Sequence, residues 1–172
     1  MTREISEVAN RRANTEHSYT FHGRDVYAYT GAKLASGHIS FEEVGPELSV
    51  EHIVEIPTVE TEVGSDFVKG AIDILDVRFG SLWTSVTREE FNTLLPEFGD
   101  RFEVTIYNHD MLVYQNQVTY GKSFTDVRIG QPLLYINSLY RVGLAINQGS
   151  FAKAYNVGVG QNWHIEIRRI VN

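Results

Sequence analysis

The chain has 172 residues, 42% of them hydrophobic and 22% charged, which fits one ordinary globular domain or one domain plus a piece of another. Its formal net charge of −7 argues against nucleic acid as a partner, because that binding needs clustered Lys and Arg to displace counterions. The absence of cysteine excludes a disulfide framework and a thiolate metal site and fits a cytoplasmic protein, and the sequence has no apolar run of membrane-spanning or signal-peptide type.

In chain order, residues 1–18 are polar and are expected at the surface. Ala28, Gly31, Ala32 and Ala35 recur at helical spacing and predict a helix over 25–36, with Gly37 where a left-handed C-cap would fall. Ser40 to Glu43 has the S-x-x-E form of a capping box and predicts a single turn, which Pro46 ends by disfavouring helix at Gly45. The character changes near Val50. Segments 52–57, 67–77, 81–86, 102–108, 111–120, 132–137, 141–147 and 163–171 are rich in β-branched and aromatic residues and read as strands. Phe102, Val104 and Ile106 alternate with Glu103, Thr105 and Tyr107, and His109-Asp110 reads as the turn of a hairpin. A second capping-box pattern, Thr87 to Glu90, leads into Phe91, Leu94 and Leu95 and predicts the one helix among these strands. Seven or eight short strands predict a β-barrel or sandwich. A boundary is expected near residues 45–55, and the roughly 45 residues before it are too few to build a core alone.

Three stretches carry candidate chemistry. In 76–86, Gly80 interrupts a strand pattern between Phe79 and Trp83, beside the hydroxyls of Ser81, Thr84 and Ser85. That set makes either a stacking slot for a flat ring or a hairpin with core aromatics, and the residues alone favour the hairpin. Asn137-Ser138 and Asn147-Gln148 end two successive apolar strands; they read as groups that hydrogen-bond a ligand's polar edge or simply as turns, and alone the turns are favoured. His22 stands at a helix start, as a general base or as an ordinary surface or capping residue. The six histidines show no metal-ligand spacing, so no metal site is expected.

Taken together, "TFHGRDVYAYTGAKLASG", "RFGSLWTSV" and "NSLYRVGLAINQGSFAKAYNVGVG" resemble, in order and spacing, the S-adenosyl-L-methionine (SAM) hydroxide adenosyltransferase family, the SAM hydrolases related to the SAM-dependent fluorinase and chlorinase. The resemblance implies a mainly β protein: a β-barrel-like domain of seven or eight strands over 49–172, preceded over 1–48 by the helical tail of an α/β domain that is otherwise absent from this chain. It implies water or hydroxide attack at C5′ of SAM, releasing methionine and adenosine, with SAM bound between neighbouring subunits of a homotrimer. SAM is then the substrate, and no cofactor, metal, nucleic acid or membrane is involved.

The family's Asp, Arg and His position the water. Only the His carries over, to His22, and without its partners this chain alone is expected to be inactive. The resemblance places Asp76 at the methionine ammonium, Phe79, Ser81 and Trp83 around adenine, Asn137 and Ser138 at the methionine carboxylate, and Asn147 and Gln148 along the adenine edge. Halogenases of the family carry Tyr at the position of His22, and the fluorinase carries Ser at the position of Gly23, so the resemblance favours a hydrolase over a halogenase. The chain departs from the family at Ser81, where an Asn is usual, and at Leu139-Tyr140, where a small or polar residue and a Gly are usual.

Overall fold

Few apolar side chains are buried in the first part of the chain, and hydrogen bonds organise it. The computed structural model describes residues 1–55 and 58–170 and divides into two compact units, Met1–Ile56 and Pro57–Asn172. In the first unit, Val26 and Val44 are the buried hydrophobic residues among those described. Strand β1 (Thr2–Arg3) pairs antiparallel with β2 (Glu47–Leu48). Helix α1 (Glu7–Asn10) is capped by the Ser6 hydroxyl. Its last residue, Asn10, is buried and donates to the carbonyls of Glu43 and Val44 while accepting from Lys33 Nζ at 2.7 Å. One amide side chain thus ties three separate segments.

The predicted helix over 25–36 is a π turn, Gly23–Tyr27, running directly into α2 (Ala28–Ala35). Gly37, at φ 72°, ends it with a Schellman pair of bonds, His38 N to Lys33 O and Gly37 N to Leu34 O. The small residues Ala28, Gly31, Ala32 and Ala35 all lie on the exposed side. The Ser40–Glu43 signal gives a single 3₁₀ turn, Glu42–Val44, with Ser40 N donating to Glu43 Oε2.

In the second unit, period-two patterning makes the strands: β3 (Glu62–Val63), β4 (Phe67–Leu75), β5 (Leu82–Thr87), β6 (Arg101–Asn108), β7 (Met111–Tyr120), β8 (Pro132–Ile136), β9 (Arg141–Ile146) and β10 (Trp163–Arg169). Helix α3 (Arg88–Asn92) follows β5, and α4 (Phe151–Tyr155) follows β9. The sheet order β10-β6-β7-β8-β9-β5-β4 closes on itself because β10 also pairs with β4, from His164↔Ala71 to Arg168↔Phe67. The expected barrel is therefore a closed barrel of seven strands, with β3 lying beside the start of β4. Every ladder is antiparallel except β7–β8, so the chain must cross over between them through 121–131.

Phe102, Val104 and Ile106 point inward as their alternation predicts, and the His109-Asp110 hairpin forms with His109 at φ 51°. The Thr87–Glu90 capping box is complete and drops Phe91 into the core against Phe102 and Tyr120, each ring 5.1 Å away. One strand expectation fails: in 52–57, His52 ends a 3₁₀ turn and 53–55 join no strand among the described residues, while 56 and 57 lie outside them. Ser49 initiates that turn by accepting from Glu51 N, a local bond that competes with strand pairing.

A glycine fixes how two loops meet at one end of the barrel. Gly80, at φ 67°, lies so close to Ser150 that a Cβ there would run into the serine hydroxyl, and Gly80 O accepts from Ala152 N at 3.0 Å. Gly80→Ala is expected to cost about 1–3 kcal/mol through overpacking and the positive φ, seen as a lower Tm in thermal unfolding. Tyr114 is buried, and its hydroxyl finds no hydrogen-bond partner among the described residues. Burial pushes its pKa up to about 12, so the neutral phenol's contribution to stability is complete below the ordinary value near 10 and is lost as pH rises from there through the folded value. Tyr114→Phe is expected to leave stability at pH 7 unchanged or raise it by up to about 1 kcal/mol and to reduce the alkaline loss, checked by denaturant unfolding at pH 7 and pH 11.

Candidate functional site

The "FHGRD" stretch in the first unit brings together two charge clusters. His22 begins the π turn, and its Nε2 lies 2.9 Å from Glu7 Oε1. Arg11, one helical turn after Glu7, donates from Nη2 to the other carboxylate oxygen, Oε2, at 2.7 Å. Arg11 Nη1 holds the carbonyls of Thr15 and Ser18, so the guanidinium ties α1 to the loop before His22. Its hydrogen bond is the main reason that the Glu7 carboxyl stays below its ordinary pKa. Asp25 is fully buried and takes a two-pronged ion pair from Arg24, Nε to Oδ1 at 2.6 Å and Nη2 to Oδ2 at 2.7 Å. That pair lowers the Asp25 pKa against the opposing effect of burial. Asp25 is thus occupied in holding the turn, and His22, about one-third exposed, is the open group of the motif.

In the barrel, three loops meet at the end where β4 gives way to β5. Asp76 Oδ1 accepts from the backbone N–H groups of Arg78 and Phe79, which folds 76–81 into a tight turn and throws the Phe79 ring outward, 65% exposed. The 121–131 crossover supplies Phe124, set by the capping box of Ser123 and Asp126. The third loop, 146–150, carries Asn147, whose Nδ2 donates to Val127 O and whose backbone bonds Gly130 and Gln131, pinning the crossover to the end of β9. Gln148, at φ 57°, is exposed and forms the tip of the turn. Phe79, Phe124, Ile146 and the 147–150 turn line a groove of about 520 Å³. A second groove of about 460 Å³ lies on the other side of the Phe79 turn, against Asp76 and Ser150. Both have the size of small-molecule sites. A larger groove of about 670 Å³ beside Asp100, Arg101 and Arg169 contains none of the sequence candidates.

Ser81 is buried at 2% exposure, and Trp83 Nε1 donates to the Tyr135 phenol at 3.1 Å. Tyr135 can lie across the strands because its neighbour is Gly143, where a Cβ would strike the ring at 2.6 Å. Burial, aided by the negative charge of Asp76, raises the Tyr135 pKa, and the bond from Trp83 offsets part of that. Phe124 stands 5.3 Å from Tyr135, which in turn accepts from Trp83.

The structure gathers Asp76, Phe79, Ser81, Trp83, Asn147 and Gln148 around these loops, but not Asn137 and Ser138. Because β8 and β9 run antiparallel, a pair that ends β8 and a pair that ends β9 lie at opposite ends of the hairpin, separated by roughly 20 Å of strand. Asn137 is buried in its own turn, its Oδ1 accepting from Leu139 N and Arg141 N and its Nδ2 left without a partner among the described residues. Ser138 is exposed. Sequence reasoning missed Glu7, Arg11, Phe124 and Tyr135. For Glu7 and Arg11 the i,i+4 spacing after Ser6 was a usable signal; for the others only the barrel's register reveals the contact. Among the described residues no three His, Asp or Glu side chains gather as metal ligands, and no helix is long and apolar enough to cross a membrane.

Residues 1–45 match the SAM hydroxide adenosyltransferase N-terminal domain, and residues 70–164 match the C-terminal domain of the same family. The chain is 30% identical over 160 residues to a fluorinase from Actinoplanes sp., covering 91% of this chain and 52% of that one. It is 31% identical over 141 residues to an (R)-S-adenosyl-L-methionine hydrolase from Thermus thermophilus, covering 82% and 47%. A crystal structure of an uncharacterized conserved protein from Thermotoga maritima superposes with a TM-score of 0.66 at 28% identity, over 97% of this chain and 59% of that one. The chain spans about half the length of the curated relatives it matches. With its C-terminal match alone covering more than half of its residues, the chain belongs to the SAM hydroxide adenosyltransferase family.

Proposed function

We propose that the protein hydrolyses S-adenosyl-L-methionine to adenosine and L-methionine by attack of water on C5′. The observation that carries the choice is His22, an imidazole held beside Glu7 in the family's "FHGRD" motif. Relatives named fluorinase and relatives named hydrolase are about equally similar to this chain, so similarity alone does not choose between them. The nucleophile does: a halide needs no base, whereas water gains from a group that takes its proton. In this reading a C5′–O bond forms, the C5′–S bond breaks, its electron pair leaves on the methionine sulfur, and the water proton passes through His22 to solvent. The sulfonium is already a good leaving group, so the protein's task is to orient and desolvate the nucleophile. No cofactor enters this scheme.

The barrel's part is to hold the substrate. Phe79 offers an exposed ring for the flat adenine, and the backbone of Asn147 and Gln148 borders the same groove. Asp76 spends one carboxylate oxygen on its own turn, and the other takes no hydrogen bond among the described residues, which suits it to an ammonium. Trp83 acts from behind, through Tyr135, and buried Ser81 closes the turn by accepting from Asp76 N. Asn137 and Ser138, at the other end of the β8–β9 hairpin, have no part in this arrangement. Residues 1–48 are assigned to the end of the family's N-terminal domain and 49–172 to its C-terminal domain, in a cytoplasmic homotrimer.

The whole protein is expected to release adenosine and methionine from SAM in equal amounts, and His22→Ala is expected to reduce kcat by about 100-fold or more, measured by chromatography of the products. Unchanged turnover in His22→Ala, or a halide-dependent 5′-halogenated product, would overturn the reading. A second reading, a module that binds adenosine without catalysis, rests on the exposed Phe79 ring and the groove beside it. Calorimetry on the 172-residue chain distinguishes it from an inert assembly domain, for which no heat of binding is expected at millimolar adenosine.

A further inference from the structure

The bond between Glu7 and His22 decides which ring nitrogen is free. His22 Nε2 lies 2.9 Å from Glu7 Oε1 and 3.4 Å from Arg11 Nη2. One nitrogen of a neutral imidazole carries a proton and the other accepts, so Nε2 cannot serve both neighbours. Were Nε2 the acceptor, its lone pair would face a carboxylate oxygen at 2.9 Å, a repulsive contact, for the sake of a long bond from Arg11. As a donor it makes a charge-assisted bond of good length with Glu7, and Arg11 satisfies itself on Glu7 Oε2 at 2.7 Å. The carboxylate is therefore held by Arg11 on one oxygen and holds the imidazole with the other. Arg11 is itself anchored, with its side chain only 10% exposed and Nη1 on two backbone carbonyls. His22 Nδ1 makes no hydrogen bond among the described residues. The remaining ring nearby, Tyr27, stands 6.4 Å away and leaves the imidazole's position to Glu7.

From this geometry we infer that Glu7 is the positioning residue for His22: it fixes the Nε2–H tautomer and presents Nδ1 as the atom that accepts a proton. The inference rests on the reading of His22 as the water-activating group. In the step concerned, the water oxygen bonds C5′ as the C5′–S bond breaks. A water proton moves to Nδ1, and the resulting imidazolium lies against the Glu7 carboxylate until the proton leaves to solvent. SAM, which carries a positive sulfonium, and water thus give neutral sulfide, adenosine and one released proton. Arg11 acts at one further remove, by keeping Glu7 in place.

The test is Glu7→Gln in the whole protein, read in two independent ways. Arg11 can only donate, so it claims the amide oxygen of the new side chain and turns the amide NH₂ toward His22 Nε2. Nε2 must then accept, and the ring proton must move to Nδ1. Ring ¹⁵N spectra of neutral His22 are expected to show Nε2–H in the wild type and Nδ1–H in Glu7→Gln, with no movement of the other histidines. With Nδ1 blocked, kcat is expected to fall about 100-fold while KM changes less than about threefold, since a wrong tautomer with intact geometry impairs proton transfer rather than binding. An unchanged His22 tautomer in a folded Glu7→Gln protein overturns the inference, whatever the activity. If Glu7→Gln does not fold, Arg11→Lys, which keeps a cation beside Glu7, is expected to retain the wild-type Nε2–H signal, and its loss there overturns the inference. Failure of the underlying reading shows differently, as turnover that His22→Ala leaves intact.

Discussion

Closure of the barrel through the β10–β4 ladder is the constraint on which the loops of the candidate site depend. Once His164 to Arg168 pair with Phe67 to Ala71, the register of every strand between them is set around the ring. The loops at the β4–β5 end then have little freedom in where they emerge. Gly80 accepts contact with Ser150, and Asn147 ties the crossover through Val127, Gly130 and Gln131. The groove beside Phe79 is therefore a product of sheet register and two short-range clasps. A site built this way is positioned before any ligand arrives, which reduces the ordering cost of binding.

The first unit solves a different problem. With Val26 and Val44 as its buried hydrophobics among the described residues, it relies on Asn10, Asp25 and Arg11 to hold segments that apolar packing does not. Each of these polar groups sits inside or one turn from the "FHGRD" stretch or contacts its neighbours. The same network that keeps the unit ordered also orients His22, so structure and candidate chemistry share one set of hydrogen bonds. Substitutions at Arg11 or Asp25 would change both together, whereas Glu7, with a half-exposed side chain, bears mainly on His22.

Much of the barrel was legible because its signals are local. Alternation in Phe102, Val104 and Ile106, the capping box at Thr87 and the turn at His109-Asp110 each depend on a few adjacent residues. The parallel β7–β8 pair and the closing ladder were not legible, since neither a crossover nor pairing between β4 and β10, about a hundred residues apart, leaves a local trace. The same limit governs the candidate site. Gly80 marked a break in the strand pattern, but Ser150 as its close neighbour emerges only from the fold. Asn137 and Asn147 look alike as polar ends of successive strands, yet antiparallel pairing sends them to opposite ends of the hairpin. Segment 52–55 carries strand-forming residues and still does not pair, because Ser49 starts a turn there.

The central claim is that the loops at 76–81, 121–131 and 146–150 hold an adenosyl group, and amide chemical-shift mapping of the ¹⁵N-labelled chain with adenosine tests it most directly. The account predicts saturable shifts concentrated at Asp76, Phe79, Phe124, Asn147, Gln148 and Ser150, and none at the Asp100–Arg101 groove. Shifts confined to that other groove, or none at millimolar adenosine, would contradict it.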